Sequence, residues 1–70
     1  MKKLTQSVFH GKNEYWQYAA IDPNGDLWLY REEPKIDKGD TRWSSSNVNP
    51  LLIAGKYDAS DWRNSLIKKA

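Results

Sequence analysis

Seventy residues without a cysteine are too few for a second domain and rule out disulfides and thiolate-bound zinc, so one thin core must rest largely on four Trp, four Tyr and one Phe. Eleven Lys and Arg against nine Asp and Glu give a formal charge of +2, well short of the dense basic stripe of a dedicated nucleic-acid binder. No segment approaches the roughly 20 apolar residues that span a bilayer.

Met1-Lys2-Lys3 has the positive character of an export signal, but no apolar run follows it, so a cytoplasmic location is expected. Within residues 1–13, Leu4, Val8 and Phe9 suit either an N-terminal strand or a flexible arm, with His10-Gly11-Lys12-Asn13 as the turn that follows.

The strongest local pattern is a β-hairpin over residues 14–31. Its turn is Asp22-Pro23-Asn24-Gly25, in which Pro23 presets the first corner and Gly25 takes the left-handed bulge position. That loop sets Ile21 opposite Leu27, Ala20 opposite Trp28, Ala19 opposite Leu29 and Tyr18 opposite Tyr30. Strand alternation then puts Trp16, Tyr18, Ala20, Trp28 and Tyr30 on one face, and Tyr15, Gln17, Ala19, Ile21, Leu27, Leu29 and Arg31 on the other. Both faces are apolar and both call for cover.

Pro34 ends the second strand, and Lys35 to Asp40 reads as a charged connection. A third strand is expected over Thr41 to Ser45, a polar turn over Ser44 to Pro50, and either an edge strand or a packed loop over Leu51 to Ala54. Asp58 and Asp61 suit a helix start, Lys68 and Lys69 a helix end, and Ala59, Trp62 and Leu66 form one stripe. The expected fold class is therefore α+β: a small antiparallel sheet of three to four strands packed by one C-terminal helix, in a single domain.

No residue constellation points to catalysis, a metal or a cofactor. Asp22, Asn24, Asp26 and Glu33 imitate a calcium loop, but Leu27 stands where that loop needs glycine, and a hairpin turn explains the stretch. His10 is the only histidine and has no partner at ligand spacing. The serines lack a nucleophile motif, and no glycine-rich phosphate loop occurs. The pairs Asp37 with Asp40 and Asp58 with Asp61 fit a charged turn and a helix start, and a chain this short has little room for a pocket of the usual 300 Å³ or more. The chain reads as a noncatalytic binder.

A single short helix covers one sheet face, so the face left open becomes the binding surface. Its candidate residues are Tyr15, Gln17, Leu27, Leu29 and Arg31, or else Trp16, Tyr18, Trp28 and Tyr30, with Arg42 beside them; Trp, Tyr and Arg are the types enriched in binding hot spots. Self-association into a homodimer is a further way to hide that face. The alternative is a small nucleic-acid binder that stacks bases on the aromatic face beside Arg31 and Arg42, helped by Lys68 and Lys69.

The residues Trp16-x-Tyr18-x-Ala20-x-Asp22-x-x-Gly25, Tyr30, Pro34, Trp43 and Asp61-Trp62-x-x-Ser65-Leu66 resemble small uncharacterised proteins of bacteriophages and prophages. The resemblance covers about residues 14–67, consists of turn and core positions, and brings no catalytic residue with it. It implies a context: a short phage protein that binds a host protein in the host cytoplasm and modulates or inhibits it, antiviral defence included.

Overall fold

The computed structural model describes residues 1–46 and 49–70. The polar turn expected over 44–50 lies partly on Asn47 and Val48, outside the described residues.

The hairpin forms with β1 at Tyr18–Ile21 and β2 at Leu27–Tyr30, in the register that the turn dictates: Tyr18 faces Tyr30 and Ile21 faces Leu27. The turn closes with Gly25 N–H on the Asp22 carbonyl at 2.9 Å and Asp22 N–H on the Asp26 carbonyl at 2.8 Å, which leaves Gly25 at φ +90°. Glycine is required there, because that backbone penalises a Cβ and an added one would sit 3.2 Å from the Tyr57 carbonyl oxygen.

Two strands complete the main sheet. Leu51–Ile53, the apolar stretch that suited either a strand or a loop, is the edge strand β5 on β2. Ile67–Lys68 is β6, antiparallel to β1, with Tyr18 facing Lys68 and Ala19 facing Ile67. The order is β5-β2-β1-β6. A separate two-stranded ribbon pairs β3 (Lys35–Ile36) with β4 (Trp43–Ser44); β4 lies within the third strand expected over Thr41 to Ser45, whereas β3 falls in the stretch read as a charged connection.

The C-terminal helix does not form, so the architecture is a small antiparallel β fold in two sheets and not an α+β one. Among the described residues the helical pieces are two 3₁₀ turns, Gln6–Phe9 and Trp62–Asn64. The reason lies in the free edge of β1. A helix of a dozen residues is marginal without docking, whereas an unpaired strand edge offers a row of backbone donors and acceptors. The tail takes them: Lys69 N–H donates to the Gln17 carbonyl at 2.7 Å, and the Ser65 hydroxyl accepts from Ile21 N–H at 2.8 Å while donating to the Trp62 carbonyl at 2.7 Å. Gln6 clasps the far end, its amide bonding to the Lys68 carbonyl and to Ala70 N–H.

Both faces of the sheet are covered. The aliphatic face (Ala19, Ile21, Leu27, Leu29, Leu51, Ile53, Ile67) packs under Leu4, Val8, Phe9, Trp16 and Tyr57. Here the N-terminal residues form a 3₁₀ turn and not a strand, apart from a single bridge between Lys2 and Tyr57. The aromatic face (Tyr18, Ala20, Trp28, Tyr30) packs under Ile36 and Trp43 of the ribbon and Trp62 and Leu66 of the tail. Trp16 is on the aliphatic side, opposite to its expected face. Strand β1 begins at Tyr18, and Trp16 N–H is turned back onto the Asn13 carbonyl at 3.2 Å, so the alternation that would have set its direction is already broken.

Candidate functional site

The expectation of one open sheet face does not hold, and the ten candidate residues sort by burial. Leu27 and Leu29 have no exposed surface, and Trp16 and Tyr30 are also buried. A partner can touch Tyr15 and Arg31, which are exposed, Arg42, also exposed, and parts of Gln17, Tyr18 and Trp28, which are half-buried. These residues gather in two places.

The first is a patch where the hairpin opens. Arg31 follows β2 directly, and its guanidinium lies 4.1 Å from the centroid of the Tyr15 ring and 5.6 Å from that of Trp16. Tyr15 and Trp16 meet edge to face at 4.9 Å, and Tyr15 keeps 44% of its surface exposed. The loop geometry is fixed by Asn13, whose side-chain oxygen accepts from Tyr15 N–H at 3.0 Å. Gln17 lies beside the patch and bonds through its backbone to Tyr30 and Lys69, which brings the tail lysines to the same end of the sheet.

The second is a cleft on the aromatic face, between the hairpin turn and the ribbon. It measures about 240 Å³ and is lined by Asp22, Trp28, Tyr30, Arg42, Trp43, Ser44, Ser45 and Pro50. An adjoining hollow of about 380 Å³ shares Asp22, Trp28 and Arg42. The chain therefore makes room for concavities of a size that its length argued against. A wider depression of about 610 Å³ lies between the turn and Lys56–Ser60, but its walls are mainly Pro23, Gly25, Tyr57 and Ala59, and Asp58 is occupied by Ser60 N–H at 3.0 Å.

Asp22 organises the cleft. Its Oδ1 accepts Trp43 N–H at 3.0 Å, which ties the ribbon to the hairpin turn across 21 residues of sequence. Burial raises its carboxyl pKa above the ordinary value, against the lowering effects of the Trp43 N–H, the Arg42 charge and the Trp28 side chain. Tyr30, 4% exposed, has its phenol pushed up, first by burial and then by the Asp22 charge, with Arg42 opposing. The three groups thus feel one another in one enclosure. Arg42 also pairs with Asp37, Nε to Oδ2 at 3.8 Å, and the ribbon end is held further by an Arg63–Asp40 ion pair.

The remaining sequence candidates are structural. Asn24 and Asp26 bond to each other within the turn, and Asp26 pairs with Lys56 at 3.6 Å, so the calcium-like stretch is taken up by hairpin geometry. Among the described residues no three His, Cys, Asp or Glu side chains converge as a metal site. His10 is exposed at the end of the first 3₁₀ turn. Two residues escaped the sequence reading: Ser65, which latches the tail to β1, and Trp43 as a wall of the cleft. Neither carries a local signal, because each acts through a chain segment distant in sequence.

No family model, curated protein or solved structure matches this chain. Among the described residues no helix is long and apolar enough to cross a membrane.

Proposed function

We propose that this chain is a noncatalytic binding module that engages a partner protein through the Tyr15–Trp16–Arg31 patch. The observation that carries the reading is the guanidinium of Arg31 held 4.1 Å from an exposed tyrosine ring and backed by a buried tryptophan. Stacked this way, Arg31 and Tyr15 are ordered before a partner arrives, so less side-chain entropy is lost on association. Aromatic and arginine side chains are also the residues that dominate binding energy in protein interfaces. Arg31, with Lys68 and Lys69 at the same end of the sheet, suits a partner surface that carries carboxylates. The resemblance to phage proteins supplies the partner class, a host cytoplasmic protein whose activity is modulated or inhibited.

Asp22, whose carboxyl pKa is raised by burial, serves in this reading as an acceptor that holds Trp43 and not as an acid or base. The alternative, a broad aromatic platform for single-stranded nucleic acid, has less surface to work with, because the ribbon and the tail lie over much of that face.

The test is a pull-down from host lysate with the wild-type chain, a Tyr15→Ala/Arg31→Ala variant and Leu52→Ser, which alters an exposed residue at the far edge of the sheet. The account expects one protein retained by wild type and Leu52→Ser and lost with the double variant, whose melting temperature stays close to wild type. Equal retention by all three chains would refute it.

A further inference from the structure

We propose that the outer edge of β5 pairs antiparallel with β5 of a second copy of this chain, Leu52 opposite Leu52, so that two four-stranded sheets run on as one across a two-fold axis.

The two edges of the main sheet are finished differently. At β6 the Gln6 amide donates to the Lys68 carbonyl and accepts Ala70 N–H, as a neighbouring strand would. Among the described residues nothing does the same for β5, and the hairpin shows which of its groups are left over. Asp22 N–H bonds to the Asp26 carbonyl, and antiparallel pairs alternate from there, so Ala20 and Trp28 bond each other while Ile21 with Leu27 and Ala19 with Leu29 do not. Ile21 N–H accordingly points away from β2, to Ser65. Leu27 and Leu29 therefore turn their backbone groups toward β5, where they meet Ile53 and Leu51. Leu52, opposite Trp28, points its N–H and C=O outward, and neither has a backbone partner among the described residues.

The side chains on this edge are apolar on both faces. Leu52 keeps 48% of its surface exposed on the aromatic side, while Leu51 and Ile53 are half-buried on the aliphatic side. Sheets guard such an edge with a charge or a proline, and Leu51–Ile53 holds neither. Residues 44–55 carry no charge at all in a chain of which 29% is charged, and the next charge, Lys56, is paired with Asp26.

Symmetry names the occupant. With the two Leu52 residues opposed, each donates its N–H to the other's carbonyl. Leu51 then lies against the partner's Ile53 and Ile53 against the partner's Leu51, which continues the aliphatic face, while the paired Leu52 side chains join the two Trp28 rings on the other. A partner selected by charge has nothing to read on this edge, whereas two copies meet here with no like charges opposed. Three residues a side fall far short of the roughly 20–30 of a standard interface, so the dimer is weak and reversible.

The experiment is sedimentation equilibrium of the full chain from about 10 µM to 1 mM, the range of a weak interface. The mass should rise from that of one chain toward that of two and stop there, because Gln6 occupies the other edge. Leu52→Pro is the decisive variant. Proline is tolerated where an edge N–H faces outward, so the dilute variant should melt close to wild type while its dissociation constant rises about tenfold or more. Leu52→Lys, which restores the usual edge guard, should do the same. In a mixture of isotope-labelled and unlabelled chains, filtered NMR should show contacts between Leu51 of one copy and Ile53 of the other. A monomer throughout, which would leave the edge to a strand of another protein, overturns the proposal. So does growth past the dimer, a dimer that both variants leave intact, or intermolecular contacts that omit Leu51 and Ile53. The Tyr15→Ala/Arg31→Ala variant should dimerise like wild type, which separates failure here from failure of the Tyr15–Arg31 reading.

Discussion

The two faces of the main sheet are built from the same strands and end up with different physical characters. On the aliphatic face all four strands contribute branched or small side chains, and the N-terminal turn closes over them with Phe9, Trp16 and Tyr57, so Leu27 and Leu29 have no exposed surface. On the aromatic face the cover comes from a two-stranded ribbon and a 3₁₀ turn, which meet the sheet through large planar side chains and leave a cleft with polar groups inside it. Small aliphatic side chains fill space evenly, whereas a few rings spanning the same area leave gaps at their edges. One face is sealed at its centre, over Leu27 and Leu29, with a hollow of about 270 Å³ beside Leu4, Ile21 and Ile67, and the other opens between the sheet and the ribbon.

The comparison is broken most severely from the sealed side. Leu29→Ala removes packing where nothing can collapse into the gap and should cost about 2–5 kcal/mol. A chain of this length has about 4–10 kcal/mol in total, so the variant should be close to unfolded in a denaturant titration. The next largest effect tests how the aromatic face is held shut. Ser65→Ala leaves Ile21 N–H buried without its acceptor and should cost about 1–3 kcal/mol, seen as a lowered melting temperature. A change below a few tenths of a kcal/mol would mean that the latch is not formed in solution.

Gly25→Ala probes the point where the turn meets Tyr57. With φ at +90° and the Tyr57 carbonyl 3.2 Å from the added carbon, it should lose more than about 1 kcal/mol in the same titration.

The pH dependence is the smallest effect and sharpens the comparison from its edges. Asp37 and Asp58 have pKa values held below the ordinary 3.8, chiefly by the N–H groups of Thr41 and Ser60. Their contribution is present above the unfolded-state value and is lost as pH falls through the folded one. Asp22, with its pKa raised by burial, runs the other way: its contribution favours the fold at low pH and fades as pH rises through its folded value. Melting temperatures should therefore fall modestly on acidification below pH 3.8, and Asp37→Asn should flatten that fall, while Asp22→Asn should steepen it.

The hairpin was readable because every signal in it is local. Pro23, Asn24 and Gly25 define a turn of fixed length, and fixed length defines register, so the pairing of Ala20 with Trp28 and Tyr18 with Tyr30 followed from a dozen residues. The tail was not readable for the opposite reason. Ala59, Trp62 and Leu66 at helical spacing suit a helix, but they equally suit a 3₁₀ turn followed by a strand, and the choice is made by the empty edge of β1, about fifty residues away in sequence. Trp16 shows a smaller version of the same limit, since strand alternation was extended past the point where the strand ends.

The candidate sites divide along the same line. Tyr15, Arg31, Trp28, Tyr30 and Arg42 were all named from residue type and position on the hairpin or its neighbour. Their grouping into a patch and a cleft was not, because Asp22 reaching Trp43 depends on the ribbon folding back over the turn.

The most direct test of the central claim is native-state amide hydrogen exchange, followed by NMR residue by residue. If the tail pairs with β1 and thereby covers the aromatic face, Lys69 N–H, bonded to the Gln17 carbonyl, and Ile21 N–H, bonded to Ser65, should both be strongly protected, with cross-strand contacts between Ala19 and Ile67. Unprotected Lys69 together with helical contacts through residues 58–69 would place a helix where the strand should be and contradict the account.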